Sequence, residues 1–155
     1  MSRRRLPRYA RLAESYPTEM HPCEQGRERE WNQCAIRLST ALEGAGFALR
    51  HYDDPTCRHG HARGAQSLGT YLWRQVGPPR RWAGGREAEA RIAGRKGIVV
   101  FQDIEGFREG RGDHIDLWDG RALRTDALPH PETGAPVELR DPFGRATNVW
   151  FWELE

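Results

Sequence analysis

A single cysteine stands where the sequence predicts the start of a helix. Asn32 belongs to the residue types that are favoured at helix N-termini. Cys34, Leu38 and Leu42 then follow at the spacing of one helical face. A thiol in the first turn lies near unpaired backbone N–H groups and the positive end of the helix dipole, and both favour the reactive thiolate. Because cysteines are more often small apolar core residues, this segment alone favours a core residue over a nucleophile.

A cysteine nucleophile needs a general base, and a later histidine is the candidate, although an exposed strand histidine without a catalytic role is the commoner outcome. His114 lies in a stretch of alternating polar and apolar residues, which is typical of a strand. An aspartate would orient its imidazole, and two are in range: Asp126, on the next strand or its end, and Asp116, two residues along the same strand. Neighbours on adjacent strands come within hydrogen-bonding reach more often than i, i+2 neighbours. We therefore expect Asp126, with Asp116 as the alternative.

The elements that must position these residues differ between the two halves of the chain. The first half predicts helices, one beginning at Cys34 and an amphipathic one beginning at Ala65. The second half predicts strands at 97–104, at 113–118 before a tight turn at 119–120, at 121–126 and at 147–154. A strand or extended segment is expected at 47–52, a short helix at 86–92 and a loop at 129–142. Helices followed by strands predict an α+β fold, with N-terminal helices packed on an antiparallel sheet.

Length and composition indicate a single folded domain. A chain of 155 residues fits one domain, residues 1–155, in which we expect 1–25 to form an N-terminal arm. Six tryptophans and 10% aromatic residues predict a folded protein in spite of a mean hydropathy of −0.82. No apolar run follows the basic first residues, and no stretch is long enough to span a bilayer. Export without a signal peptide and no membrane insertion are therefore expected.

A second cluster of residues could bind a metal. Cys57, His59 and His61 offer the sulfur and imidazole ligands that Zn²⁺ prefers, although their spacing matches none of the usual paired-ligand motifs. A small zinc-binding structural or interaction protein is therefore an alternative. The chain has three cysteines, so at most one disulfide can form within it. Cys23 and Cys57 would be the natural disulfide pair, which would leave Cys34 as a free thiol.

Two arginine-rich stretches raise the possibility of a nucleic-acid-binding module. They are Arg3-Arg4-Arg5 and Arg80-Arg81-Trp82. The 24 basic residues are balanced by 22 acidic residues, for a net charge of +2. This is too small a charge to indicate nucleic acid, so we expect no nucleic-acid partner.

Three blocks of sequence together resemble the type VI secretion amidase effectors, specifically their fourth group. The blocks are Trp31-Asn32-Gln33-Cys34-Ala35-Ile36-Arg37-Leu38-Ser39, Lys96-Gly97-Ile98-Val99-Val100-Phe101 and Gly112-Asp113-His114-Ile115-Asp116-Leu117-Trp118-Asp119-Gly120. The resemblance runs in order from about residue 31 to residue 126. It implies a papain-like, NlpC-type cysteine peptidase fold. It also implies that Cys34 is the nucleophile, His114 the general base and Asp126 the residue that fixes the imidazole.

The resemblance further implies a reaction. The substrate would be the peptide stem of peptidoglycan, cleaved between D-glutamate and meso-diaminopimelate by an antibacterial toxin. Cys34 would attack the carbonyl carbon, and its own backbone N–H would hold the oxyanion. Arg37 is a conceivable contact for substrate carboxylates, although a structurally paired arginine is the commoner outcome. No metal or organic cofactor is required.

The implied partners are a cognate immunity protein and the type VI secretion apparatus. The protein would be made in the bacterial cytoplasm and would act in the periplasm of target cells. Papain-like domains also include acyltransferases, and no residue of this sequence excludes that second alternative.

Overall fold

The structure is a computed structural model that describes residues 3–23, 32–130 and 136–155. Trp31, the end of the predicted arm and residues 131–135 of the predicted loop lie outside these ranges. The described helices are α1 (Tyr9–Ser15), α2 (Cys34–Gly44), α3 (Ala65–Val76), α4 (Gly85–Ile92) and α5 (Pro142–Arg145). The described strands are β1 (Arg80–Ala83), β2 (Gly97–Ile104), β3 (Gly112–Trp118) and β4 (Asn148–Glu153).

The strands form one antiparallel sheet in the order β1-β4-β2-β3. Val100, in the middle of β2, pairs with Ile115 of β3 on one side and with Trp150 of β4 on the other. The first five residues of β2 are buried, as its unbroken apolar run predicts for a central strand. β3 lies at one edge of this sheet, and α2 packs against it.

Helices cover both faces of the sheet. Ile98 and Val100 belong to the core that α1, α2 and α3 bury, whereas Val99 and Phe101 belong to the core beneath α4 and α5. The side-chain alternation of β2 therefore explains the layering. The predicted α+β fold is confirmed. None of the helices in the described parts of the chain combines the length and apolar character needed to cross a bilayer.

One strand of the structure was not predicted, and one predicted strand is absent. β1 was not predicted, because Arg80 and Arg81 are exposed and the strand is held by backbone pairing to β4. No strand forms at 121–126; a single bridge joins Leu123 to Trp118, and a short 3-10 turn follows at Arg124–Ala127. At 47–52, where a strand or extended segment was expected, residues 47–49 belong to no helix or strand and a turn follows at 50–51. The helix expected at 86–92 is present as α4.

Candidate active site

Cys34 is the first residue of α2, and that helix packs against β3. Its side chain is buried, with 2% of its surface exposed. Gln33 is the N-cap residue by position, but it makes no capping bond with its side chain. Asn32 reaches over it, and its Oδ1 accepts the Cys34 N–H at 3.1 Å. The sequence thus identified the start of the helix. Asn32 was expected at the N-cap position itself, but it lies one residue before that position and still caps the helix with its side chain.

The same contact corrects one expectation about the oxyanion. The Cys34 N–H was expected to be available to hold a developing negative charge. In the structure Asn32 Oδ1 already accepts this N–H. An oxyanion at this position would first have to displace the Asn32 side chain.

His114 and Asp116 form a buried pair on β3. The Nε2 atom of His114 lies 2.9 Å from Oδ2 of Asp116, and both side chains are completely buried. Because a carboxylate accepts hydrogen bonds, Nε2 is the nitrogen that donates. The His114 ring also stacks on Phe101 with a centroid distance of 6.1 Å and an interplanar angle of 24°. These contacts fix the imidazole plane.

Three further donors hold the Asp116 carboxylate. The hydroxyl of Thr125 donates to Oδ2 in a short hydrogen bond. Oδ1 accepts the backbone N–H of Leu117 at 2.8 Å and that of Thr125 at 3.3 Å. Charge-assisted bonds of this kind compensate a carboxylate for its burial. Asp116 is therefore an ordered acceptor for the histidine.

Asp126 does not occupy the position that was expected for it. Its side chain is exposed, and its backbone N–H donates to the carbonyl of Leu123 at 3.1 Å. The expectation assumed a strand after β3, but the chain folds into the turn at Arg124–Ala127 instead. That turn presents Thr125 to the buried pair and Asp126 to solvent. Asp116, which had been the alternative, contacts the histidine.

The charges around His114 favour its protonated form. Burial acts to lower the pKa of His114, but the hydrogen bond to Asp116 and the nearby Cys34 sulfur raise it from 6.5 to about 10. The buried Nδ1 atom of His114 has no hydrogen-bond partner among the described residues. With Nε2 bonded to Asp116, Nδ1 is the atom that can accept a proton from the Cys34 thiol. The arrangement can therefore activate a nucleophile.

Cys34 opens onto a cleft of about 470 Å³. α3 and the loop before it form one wall, and the segment between β2 and β3 forms the other. Four arginines and two aspartates contribute to its lining: Arg63, Arg74, Arg108, Arg111, Asp54 and Asp113. The excess of positive charge suits an anionic ligand.

Arg37 is not one of the described residues that line this cleft. It is buried, with 2% of its surface exposed, and its guanidinium donates to the Tyr16 hydroxyl and to the Met20 carbonyl at 3.3 and 2.7 Å. Arg37 therefore joins α2 to the N-terminal arm, which is the paired alternative rather than the substrate contact.

Sequence reasoning missed two residues of the site. Thr125 belongs to no recognisable motif, and the sequence analysis considered only its neighbour Asp126. Gln33 was read as part of a block, yet its side-chain amide bonds both backbone polar groups of Cys23. No periodic signal would have revealed either contact, because the partners lie nine and ten residues apart and do not share a helix or strand.

Comparison with known proteins gives one family. The model of the Tae4 family, described as "Type VI secretion system (T6SS), amidase effector protein 4", matches residues 31–152. A comparison with curated protein sequences gave no significant match.

The solved structures that resemble this chain are also Tae4 effectors. The crystal structure of the type VI effector Tae4 from Enterobacter cloacae is 18% identical, covers 100% of both chains and has a TM-score of 0.68. A selenomethionine variant of the Tae4/Tai4 effector and immunity system from Salmonella typhimurium is 17% identical over 97% of this chain and 100% of that chain, with a TM-score of 0.70. At these identities the similarity shows a shared fold.

Proposed function

This chain belongs to the Tae4 family of type VI secretion amidase effectors, and we propose that it cleaves peptidoglycan peptide stems between D-glutamate and meso-diaminopimelate. Cys34 would be the nucleophile, His114 the general base and Asp116 the residue that orients the imidazole. The observation that carries this assignment is the buried pair of His114 and Asp116 beside a cysteine at a helix start.

The reaction would proceed in two stages. His114 takes the thiol proton at Nδ1, and the Cys34 sulfur attacks the γ-carbonyl carbon of D-glutamate. The tetrahedral intermediate collapses as His114 returns the proton to the amine of meso-diaminopimelate, which leaves a thioester on Cys34. Water, deprotonated by His114, then hydrolyses the thioester. Asp116 stabilises the imidazolium in both stages through its bond to Nε2.

The charge of the cleft supports an acidic peptide as the substrate. D-glutamate carries a free α-carboxylate close to the bond to be cleaved, and meso-diaminopimelate carries a free carboxylate at the far end of its side chain. Arg63 and Arg108 line both the cleft at Cys34 and a smaller pocket beside Asn32. Guanidinium groups bind carboxylates with paired, charge-assisted hydrogen bonds. We assign these two arginines to the α-carboxylate of D-glutamate, beside the scissile amide.

Delivery and control follow from the same proposal. The substrate lies in the periplasm of a target cell, so the protein would act there after transfer by the type VI secretion apparatus. Solved Tae4–Tai4 effector and immunity complexes are known from Enterobacter cloacae and Salmonella typhimurium. We propose that the cell producing this chain holds a cognate immunity protein that blocks the cleft at Cys34.

Digestion of purified peptidoglycan, followed by mass analysis of the fragments, tests the enzyme class and the bond together. The expected products end in D-glutamate or begin with a free meso-diaminopimelate amine. Cys34→Ala should yield none of them, whereas His130→Ala, a change at an exposed histidine, should match the wild type. Cleavage at another bond would refute the substrate assignment. Full activity of Cys34→Ala would refute the nucleophile, and transfer to an added amine in place of hydrolysis would identify an acyltransferase.

A further inference from the structure

Two cysteine sulfurs and two imidazole nitrogens converge on the side of the molecule where the N-terminal arm meets the loop before α3. Cys23 Sγ lies 3.0 Å from Cys57 Sγ and 3.3 Å from Nδ1 of His59. Cys57 Sγ lies 3.8 Å from Nδ1 of His61. We propose that these four residues form a zinc site.

The backbone of the loop brings three of the four ligands together. The N–H of Cys57 donates to the carbonyl of His61 at 2.9 Å, and the N–H of Gly60 donates to the carbonyl of Cys57 at 3.0 Å. Gly60 has a φ of +82°, a conformation that glycine adopts without strain. This tight turn directs Cys57, His59 and His61 to one point. Their unusual spacing is sufficient because the fourth ligand, Cys23, comes from the N-terminal arm.

The donor set fits zinc. Two thiolates and two neutral imidazoles form a common tetrahedral set, with Zn–S distances of about 2.3 Å and Zn–N distances of about 2.0–2.1 Å. Tetrahedral geometry at those lengths places the two sulfurs about 3.8 Å apart. The sulfur atoms would therefore separate by less than ~1 Å when the ion binds, and their protons would be released to solvent.

A glutamate favours the metal site over a disulfide. Nε2 of His61 lies 3.2 Å from Oε2 of Glu43, while Nδ1 of the same ring faces Cys57. A ligating histidine characteristically donates its second nitrogen to a carboxylate, which fixes the ring and its tautomer. A disulfide between Cys23 and Cys57 would leave both imidazoles and Glu43 without a role. The cluster thus has ligands and a supporting partner.

The site would have a consequence for the start of α2. The side chain of Gln33 accepts the Cys23 N–H at 2.9 Å and donates to the Cys23 carbonyl at 2.6 Å. Gln33 directly precedes Cys34, and Ile36 packs against both Cys23 and Cys57. Zinc at this position would tie the arm and the loop to the first turn of α2. Its role would be structural, because none of its ligands lines the catalytic cleft.

Zinc content and thiol content of the full-length Cys34→Ala chain test the proposal without reference to activity. Purified from zinc-supplied cells, this chain should hold one zinc per molecule, and in denaturant with a chelator it should show two titratable thiols. Adding His59→Ala, a change at an exposed residue, or Cys57→Ser should abolish stoichiometric zinc. Adding His130→Ala should leave the zinc content unchanged.

Chelator treatment adds a second measurement. It should lower the thermal midpoint of the Cys34→Ala chain and leave that of the zinc-free double variant unaffected. A zinc-free Cys34→Ala chain would overturn the proposal, whether its thiols were joined as a disulfide or reduced. Full zinc content after Cys57→Ser would overturn it as well. Because the starting chain lacks the nucleophile, failure here would leave the proposed amidase mechanism untouched.

Discussion

The imidazole of His114 is held by the residue two positions further along its own strand. Nε2 of His114 and Oδ2 of Asp116 are 2.9 Å apart, and neither side chain is exposed. Residues i and i+2 of a strand point to the same face, so the two side chains need only lean toward each other. Thr125 holds the carboxylate from the other side. The orientation of the base is therefore set by β3 and the turn after it.

Asparagine substitutions at the two candidate aspartates give the first prediction. Asp116→Asn removes the negative charge that stabilises the imidazolium, and we expect kcat/KM to fall by up to about 10⁴-fold. Asp126→Asn changes an exposed side chain and should keep kcat/KM within a few-fold of the wild type. Hydrolysis of a synthetic stem peptide measures both. The reverse pattern would restore Asp126 as the orienting residue.

The pH dependence of His114 gives the second prediction. Its pKa is raised from 6.5 to about 10, so folding favours the protonated form. The stability that this group contributes is complete below pH 6.5 and is lost as the pH rises through about 10. Denaturant unfolding should therefore show an alkaline loss of stability that His114→Ala lacks. Identical profiles for the two chains would contradict the shift.

The same group should limit activity on the alkaline side. The reactive form pairs a thiolate with a protonated imidazole, so kcat/KM should decline as His114 loses its proton near pH 10. Asp116→Asn removes a group that raises the pKa of His114, and its residual activity should decline at lower pH. An alkaline limb that does not move would show that Asp116 acts on folding alone.

The sequence predicted the elements that have strong periodic signals. The unbroken apolar run of β2, the alternation of β3 and the apolar face of α2 each depend on local burial, which side-chain type reports directly. β1 lacks such a signal, because Arg80 and Arg81 are exposed and its contribution to the sheet is backbone pairing. Edge strands of this kind are defined by their neighbours rather than by their own side chains.

The candidate site was predictable in part for a similar reason. Cys34 and His114 stand at a helix start and on a buried strand, so local pattern and family resemblance together selected them as candidates. The choice between Asp116 and Asp126 depended on the path of the chain after β3. A tight turn made by Asp119, whose Oδ1 accepts the N–H groups of Arg121 and Ala122, redirects that path. Thr125 and Asp126 are adjacent in the turn that follows, and it is Thr125 that faces His114 and Asp116 while Asp126 is exposed.

Thr125 gives the third prediction. Its hydroxyl donates to the carboxylate that orients His114, and Thr125→Val keeps the shape while removing the donor. We expect a loss of about 1–3 kcal/mol in the free energy of unfolding, because a buried charged acceptor loses a partner. Because Thr125 lies behind Asp116, kcat should fall and KM should stay constant. Thr125→Ser, which restores the hydroxyl, should recover most of kcat, and unchanged kinetics of Thr125→Val would exclude a positioning role.

The arginines of the cleft give the fourth prediction, which uses a matched pair of substrates. A stem peptide whose D-glutamate carries a free α-carboxylate should be cleaved faster than the same peptide with that group amidated. Arg63 and Arg108 supply the charge at this end of the cleft, so Arg108→Gln should raise KM about 10- to 100-fold for the free acid, as expected for a lost hydrogen bond to a charged group. It should hardly change KM for the amidated peptide, and Arg91→Gln, an exposed change on α4, should affect neither. If Arg108→Gln slowed both peptides equally, the carboxylate contact would be ruled out and the arginine would act on the fold.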